Sequence, residues 1–280
     1  MVSKFPTPTP IPVSDSVLHR LSEIARAAGA AILELYDENV QLERKADQSP
    51  VTAADRAAHH VILEALSAWT PAVPVISEEG HIPPFEDRRD WSCFWLVDPL
   101  DGTKEFLSRN GEFTVNIALI RDGEPVLGAV YAPAFDVLYA AGDGLGAWKQ
   151  DGSGARTRIF SAPPQRDAPV TVVESRSHPS AELEEYLRTI PIARRVQAGS
   201  SLKFCVVAEG QADIYPRLGP TMEWDVAAGD CVFRNSSRTG QRSSELTYNK
   251  PDLRNSSFVL GWESATRDID HAGSASLEER

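Results

Sequence analysis

Two aspartates at the end of an apolar run constrain this chain more than any other feature. In Trp95-Leu96-Val97-Asp98-Pro99-Leu100-Asp101-Gly102-Thr103 an apolar strand leads into the acids, Pro99 fixes one backbone angle and Gly102 permits a sharp turn. Such a turn can aim both carboxylates and the Leu100 carbonyl at one point. Hard oxygen ligands that converge in this way suit Mg²⁺ or another small divalent cation. Asp101-Gly102 alone is equally an ordinary turn that caps a helix, so the reading depends on further acids at other strand and helix ends.

Those acids are present. Glu78 and Glu79 follow the apolar stretch that ends in Ile76-Ser77, although adjacent glutamates are more often simply solvated. In Met222-Glu223-Trp224-Asp225-Val226-Ala227-Ala228-Gly229, Asp225 falls in the first turn of an apolar helix, where the helix dipole alone would favour it. Asp47, Thr52 and Asp55 surround the start of another helix in Lys45-Ala46-Asp47-Gln48-Ser49-Pro50-Val51-Thr52-Ala53-Ala54-Asp55.

Periodicity supplies the frame for these motifs. Val17, Leu18, Leu21, Ile24, Ala28, Ile32 and Leu35 recur at helical spacing after a Ser14 or Asp15 cap. A second helix runs from Thr52 to Trp69 and is stopped by Pro71. Short β runs follow at 73–76, 94–97, 114–120, 125–131 and 137–141, punctuated by Asp122-Gly123 and by glycines at 142, 144 and 146. Those three glycines lead into Ala147-Trp148-Lys149 rather than a helix, which argues against a dinucleotide loop. Strands and helices then alternate from Thr171 to a helix that begins near Trp224. The pattern predicts layered α/β structure: one domain over 14–262, with lobes of about 14–155 and 168–262, a mobile N-terminal arm over 1–13 and a polar tail over 263–280.

Composition narrows the function. With 40 acidic and 28 basic residues the net charge is −12, which disfavours a nucleic-acid binder that would work through clustered Lys and Arg. No run approaches the ~18 apolar residues of a membrane span, and the N-terminus lacks the apolar core of a signal peptide. The expectation is a soluble cytoplasmic protein, with peripheral attachment to the inner membrane face left open. Cys93, Cys205 and Cys231 are few and widely spaced, so no disulfide partner is expected. The oligomeric state is not legible.

The motifs Lys-x-Asp-x-Ser-Pro-Val-Thr-x-x-Asp (45–55), Ser-Glu-Glu (77–79), Asp-Pro-Leu-Asp-Gly-Thr (98–103) and Trp-Asp-x-Ala-Ala-Gly (224–229), in that order, resemble the inositol monophosphatase superfamily of metal-dependent, lithium-sensitive phosphatases. Asn110-Gly-Glu-Phe-Thr-Val-Asn, Gly199-Ser-Ser-Leu-Lys and Asp213-Ile-Tyr-Pro-Arg are similar to the bacterial 3′(2′),5′-bisphosphate nucleotidases within it. The resemblance implies an α/β/α/β/α sandwich of the inositol monophosphatase and fructose-1,6-bisphosphatase type. It also implies Mg²⁺-dependent removal of the 3′-phosphate from adenosine 3′,5′-bisphosphate, and from its sulfated precursor, in sulfur assimilation.

Carried over residue by residue, it implies two or three Mg²⁺ ions. Glu78, Asp98 and the Leu100 carbonyl would hold the first, and Asp98, Asp101 and Asp225 the second. Glu78 and Thr103 would orient the attacking water, with Asp47 and Thr52 supporting a further metal or water. Paired cations of this kind generate hydroxide near neutral pH and offset charge on the attacking and leaving oxygens. The Gly102 and Thr103 amides would add donors to the phosphate. Ser200, Ser201, Lys203 and Arg217 would contact a small phosphorylated nucleotide, and the two cations favour a second phosphate over an inositol ring. Ser177 and His178 are weaker candidates for the same pocket, and His59 and His60 read as structural or surface residues.

The segment from Asp230 to Glu245 departs from the family pattern and is more polar and basic than a packed helix end should be. It puts the packing of that helix in question, and a locally frame-displaced coding segment is one account of it. Two alternatives remain at this stage: a phosphatase acting on inositol phosphates or fructose 1,6-bisphosphate, and a weakly active nucleotide-binding regulatory protein.

Overall fold

The structure is a computed structural model that describes residues 11–36, 43–44, 50–165, 168–177, 180–237 and 245–262. The expected tail and all but the last three residues of the expected N-terminal arm lie outside them. Ile11 is buried, and its carbonyl accepts from Arg121.

Helix α1 (Asp15–Tyr36) begins where Ser14 Oγ accepts from Val17 N at 3.4 Å, and it buries Leu18, Leu21, Ile24, Ala28 and Ile32 at helical spacing. Two short strands, β1 (Glu43–Arg44) and β2 (Pro50–Val51), precede α2 (Ala53–Trp69). Thr52 caps α2 reciprocally with Asp55, and Ala58, Ile62 and Leu66 form its buried stripe. Then come β3 (Val75–Ser77), α3 (Phe85–Arg88), β4 (Cys93–Asp101), α4 (Thr103–Leu107), β5 (Thr114–Arg121), β6 (Glu124–Ala132), β7 (Val137–Gly142), β8 (Gly146–Gln150) and β9 (Arg156–Ile159). The remaining elements are β10 (Val170–Ser175), α5 (Ala181–Leu187), β11 (Ile192–Ala198), α6 (Leu202–Ala208), β12 (Ile214–Arg217), β13 (Thr221–Met222), α7 (Glu223–Asn235), β14 (Arg254–Asn255) and β15 (Phe258–Gly261).

Strands β3 to β9 form one seven-stranded sheet in chain order, parallel only between β3 and β4. Side chains alternate across a strand, so β4 presents Trp95 and Val97 to α1 and α2 and turns Phe94 and Leu96 toward α6 and α7. A four-stranded sheet in the order β11-β10-β12-β15 packs Val173, Tyr215 and Leu260 on the other side of α6 and α7, and covers its own outer face with Leu183 and Leu187 of α5. The layers are therefore helix pair, large sheet, helix pair, small sheet, helix, as expected from the sequence resemblance.

The helix carrying Asp225 packs closely. Gly128 on β6 has no room for a Cβ, which would lie 2.7 Å from Cys231 Cβ and 2.8 Å from Ala228 O. The doubt over packing after Asp230 is corrected here: α7 continues to Asn235 with Cys231, Val232 and Phe233 buried. Polarity is absorbed by partners one helical turn away and by others remote in sequence. Asp230 Oδ2 accepts from Tyr248 Oη at 2.7 Å and pairs with Arg234 at 2.9 Å, while Arg234 also reaches Glu124 and the Leu246 carbonyl. Residues 238–244 of the atypical segment lie outside the described residues.

Candidate active site

The acids are assembled by strand register. The parallel pairing of Ser77 with Val97, continued by Glu78 N donating to Val97 O at 3.1 Å, puts Glu78 beside Asp98. The β4–β5 ladder shifts register between Asp98 and Asp101, so the chain bulges there and the Leu100 amide donates to Asp98 Oδ1 at 3.1 Å. Asp225 enters from the first turn of α7, its carboxylate accepting from Met222 N at 2.8 Å. Carboxylate oxygens of Glu78, Asp98 and Asp225 lie within 4.8 Å of one another. Asp101 is outside that set but lines the same cavity as Asp225.

Electrostatics shows what this assembly needs. Burial pushes the Asp98 carboxyl well above the usual range, and the charges of Glu78, Asp101 and Asp225 push it further. Burial also raises Asp225 well above its ordinary value, with Asp101 adding to it. Asp101 is raised by burial, against the lowering influence of Lys203. Such mutually repelling, poorly hydrated carboxylates fit an oxygen-ligated divalent cation, whose charge would relieve the repulsion.

A cavity of about 280 Å³ opens beside these acids. Gly102 and Thr103 form one wall, and Ser200, Ser201, Lys203 and Arg217 line it elsewhere. Burial lowers the Lys203 ammonium to about 8, opposed by the Asp101 charge, and its Nζ donates to Ser200 O at 2.5 Å. Arg217 Nη2 donates to Pro220 O at 3.1 Å, whereas its Nε is buried and lacks a hydrogen-bond partner among the described residues. A second cavity of about 280 Å³ shares Ser175, Tyr215 and Arg217 with the first.

Several expected residues are engaged differently than the motifs suggest. Ser200 and Ser201 precede α6, and their hydroxyls are committed to backbone: Ser200 Oγ lies 2.7 Å from both Asp101 O and Glu112 O, and Ser201 Oγ donates to Asp225 O at 2.6 Å. Thr52 Oγ1 donates to Asp55 Oδ2 at 2.5 Å. His59, read as structural or surface, makes a structural contact: it is half-buried and shares a 2.8 Å hydrogen bond with Ser77, next to Glu78. Asp47 and His178 lie outside the described residues, and Ser175 rather than Ser177 lines the cavity. Sequence reading assigned no contact to Glu105, Glu112, Asn116 or Tyr215, although the Asn110-Gly-Glu-Phe-Thr-Val-Asn motif contains Glu112 and Asn116 and the Asp213-Ile-Tyr-Pro-Arg motif contains Tyr215.

A model of the inositol monophosphatase family matches residues 14–254. The chain belongs to the inositol monophosphatase family. It is therefore a phosphatase, of a family that is generally metal-dependent. The chain is similar to the 3′(2′),5′-bisphosphate nucleotidase CysQ of Escherichia coli (strain K12), 55% identical over 219 residues that span 77% of this chain and 86% of that one. It is also similar to the crystal structure of CysQ from Bacteroides thetaiotaomicron, a bacterial member of this family, with a TM-score of 0.75 and 40% identity over 89% of this chain and 97% of that one. The fold extends to the extragenic suppressor protein suhB of Bartonella henselae, with a TM-score of 0.74 and 24% identity over 94% of this chain and all of that one. Among the described residues no helix is long and apolar enough to cross a membrane, and Cys93, Cys205 and Cys231 are all buried and free.

Proposed function

We propose that this chain is a Mg²⁺-dependent 3′(2′),5′-bisphosphate nucleotidase that hydrolyses the 3′-phosphate of adenosine 3′,5′-bisphosphate, and of its 5′-phosphosulfate, to leave the 5′-nucleotide and phosphate. The observation that carries the reading is the juxtaposition of the carboxylate cluster with a cavity containing Lys203 and the unsatisfied Arg217 Nε. The names of the relatives described above supply the substrate class.

In this reading Glu78, Asp98 and the Leu100 carbonyl hold one cation, and Asp98, Asp101 and Asp225 hold a second. When bound, such cations lower the pKa of a water and offset charge on the attacking and leaving oxygens. Glu78 and Thr103 orient the attacking water, and Thr52 and Asp47 support this side of the site. Gly102 and Thr103 face the scissile phosphate across the first cavity. Lys203 and Arg217 clamp the other phosphate, and the cavity shared at Tyr215 and Arg217 gives the nucleoside room.

The test is a phosphate-release panel. With Mg²⁺, kcat/KM for adenosine 3′,5′-bisphosphate should exceed that for inositol monophosphates and fructose 1,6-bisphosphate, and lithium should inhibit. Comparable or better values for an inositol monophosphate would overturn the substrate assignment.

A further inference from the structure

Asp101 and Asp225 sit on different elements, β4 and α7, and a cation shared between them needs both carboxylates at one place. The β4 bulge means that ladder pairing alone does not fix Asp101: Asp98 lies opposite Asn116 and Asp101 opposite Thr114, with the register shift between them. Beneath the two acids runs a buried hydrogen-bond chain. Thr114 Oγ1 donates to Asn116 Oδ1 at 3.0 Å. Asn116 Nδ2 donates to Ser201 Oγ at 3.0 Å and to Asp101 Oδ2 at 3.4 Å. Ser201 Oγ donates to Asp225 O at 2.6 Å.

Chemistry forces the direction of this chain. The Asp225 carbonyl can only accept, so Ser201 spends its single proton there and must accept from Asn116. The Asn116 amide therefore turns its nitrogen toward Asp101 and Ser201 and its oxygen toward Thr114. Thr114, Asn116 and Ser201 are 0%, 1% and 2% exposed, so no bulk water can replace a lost partner. Asn116 and Thr114 are not among the residues that line the cavity, which separates them from substrate contact.

We infer that Asn116 is a positioning residue that sets the spacing of Asp101 and Asp225 for a divalent cation, holding the Asp101 carboxylate through its own amide and the Asp225 backbone carbonyl, and with it the first turn of α7, through the Ser201 hydroxyl. The inference rests on the proposed role of those two aspartates as cation ligands. Outer partners of this kind typically change metal affinity by about 10–100-fold when removed.

Mg²⁺ is titrated calorimetrically into the metal-stripped full chain as wild type, Asn116→Ala, Asn116→Asp, Thr114→Val and Asp101→Asn. Circular dichroism and metal-free Tm report on the fold. Asn116→Ala should weaken Mg²⁺ binding about tenfold or more, Asn116→Asp further because it turns an acceptor toward Asp101, and Thr114→Val less. At saturating Mg²⁺ the kcat of Asn116→Ala should recover to near wild type with KM for substrate unchanged. Wild-type Mg²⁺ affinity in folded Asn116→Ala, alongside weakened binding in Asp101→Asn, overturns the positioning role. If Asn116→Ala does not fold, wild-type affinity in the isosteric Thr114→Val overturns it. If Asp101→Asn also binds like wild type, the ligand assignment itself fails and the inference falls with it.

Discussion

Gly102 and Ser200 are in direct contact, and the contact joins the loop after β4 to the loop before α6. Gly102 has φ +91°, and a Cβ on it would collide with Ser200 Oγ, which is itself held between the Asp101 and Glu112 carbonyl oxygens. Ser200 too has positive φ, at 49°, and the Gly199 amide on its other side donates to Glu112 Oε2 at 2.8 Å. The wall expected to face the scissile phosphate is thus fixed by the opposite loop.

Gly102→Ala should consequently be damaging on two counts, backbone strain and collision. The expected cost in stability is about 1–3 kcal/mol, with kcat falling more than KM rises because Thr103 and Asp101 shift together. Denaturant unfolding with parallel kinetics checks this, and an active variant of wild-type stability would show that the two loops move freely.

Lys203 gives a pH signature. Its folded value of about 8 lies below the ordinary 10.5, so the ammonium is lost as pH rises through 8. As a phosphate clamp it should make kcat/KM fall above that pH, approaching about tenfold per unit. Lys203→Met should remove this limb and weaken substrate binding by about 1.5–3 kcal/mol. For folding the sign is opposite: between about 8 and 10.5 the unfolded chain holds more protons, so this group's contribution to stability rises with pH across that window. Rate profiles and urea midpoints at matched pH values separate the two effects.

Cation binding should release protons. Asp98 and Asp225 have raised carboxyl pKa values, and a ligating carboxylate must be ionised. Mg²⁺ affinity should therefore weaken as pH falls, and calorimetry in two buffers of different ionisation heat should report net proton release. Equal observed heats in the two buffers, with no pH dependence of affinity, would contradict the acid cluster as the binding site. Mg²⁺ should also raise Tm, because it binds the folded chain selectively.

Asp230 tests the packing of the atypical segment. Its replacement by Ala leaves the buried Tyr248 Oη without its acceptor, while Arg234 keeps Glu124 and the Leu246 carbonyl, at an expected cost of about 1–3 kcal/mol. Thermal unfolding checks this. A loss below about 1 kcal/mol, the usual worth of an exposed pair, would mean that Tyr248 and Arg234 are not held by that acid.

Much of this was legible in the sequence because the signals were local. Thr52, the apolar spacing through Leu66 and the stop at Pro71 define α2 within one stretch, and the apolar run before Asp98 defines the central strand. What was missed depends on contacts between remote positions: Asn116 meets Ser201 across 85 residues, and Glu112 meets Gly199 across 87. No local pattern encodes such a pairing, since it follows from sheet register and from the approach of the loop before α6 to the β5 end. The polarity after Asp230 misled for the same reason, because Tyr248, which satisfies that acid, lies beyond the stretch in which the charges cluster.

The central claim is that these carboxylates hold Mg²⁺ for hydrolysis of a nucleotide bisphosphate. Its most direct test is phosphate release from adenosine 3′,5′-bisphosphate by the intact protein, measured as purified, after stripping with chelator and after Mg²⁺ is restored, with Asp98→Asn in parallel. Activity that vanishes on stripping, returns with Mg²⁺ and is absent from Asp98→Asn is the predicted result. Undiminished turnover in the stripped protein, or in Asp98→Asn, would contradict it.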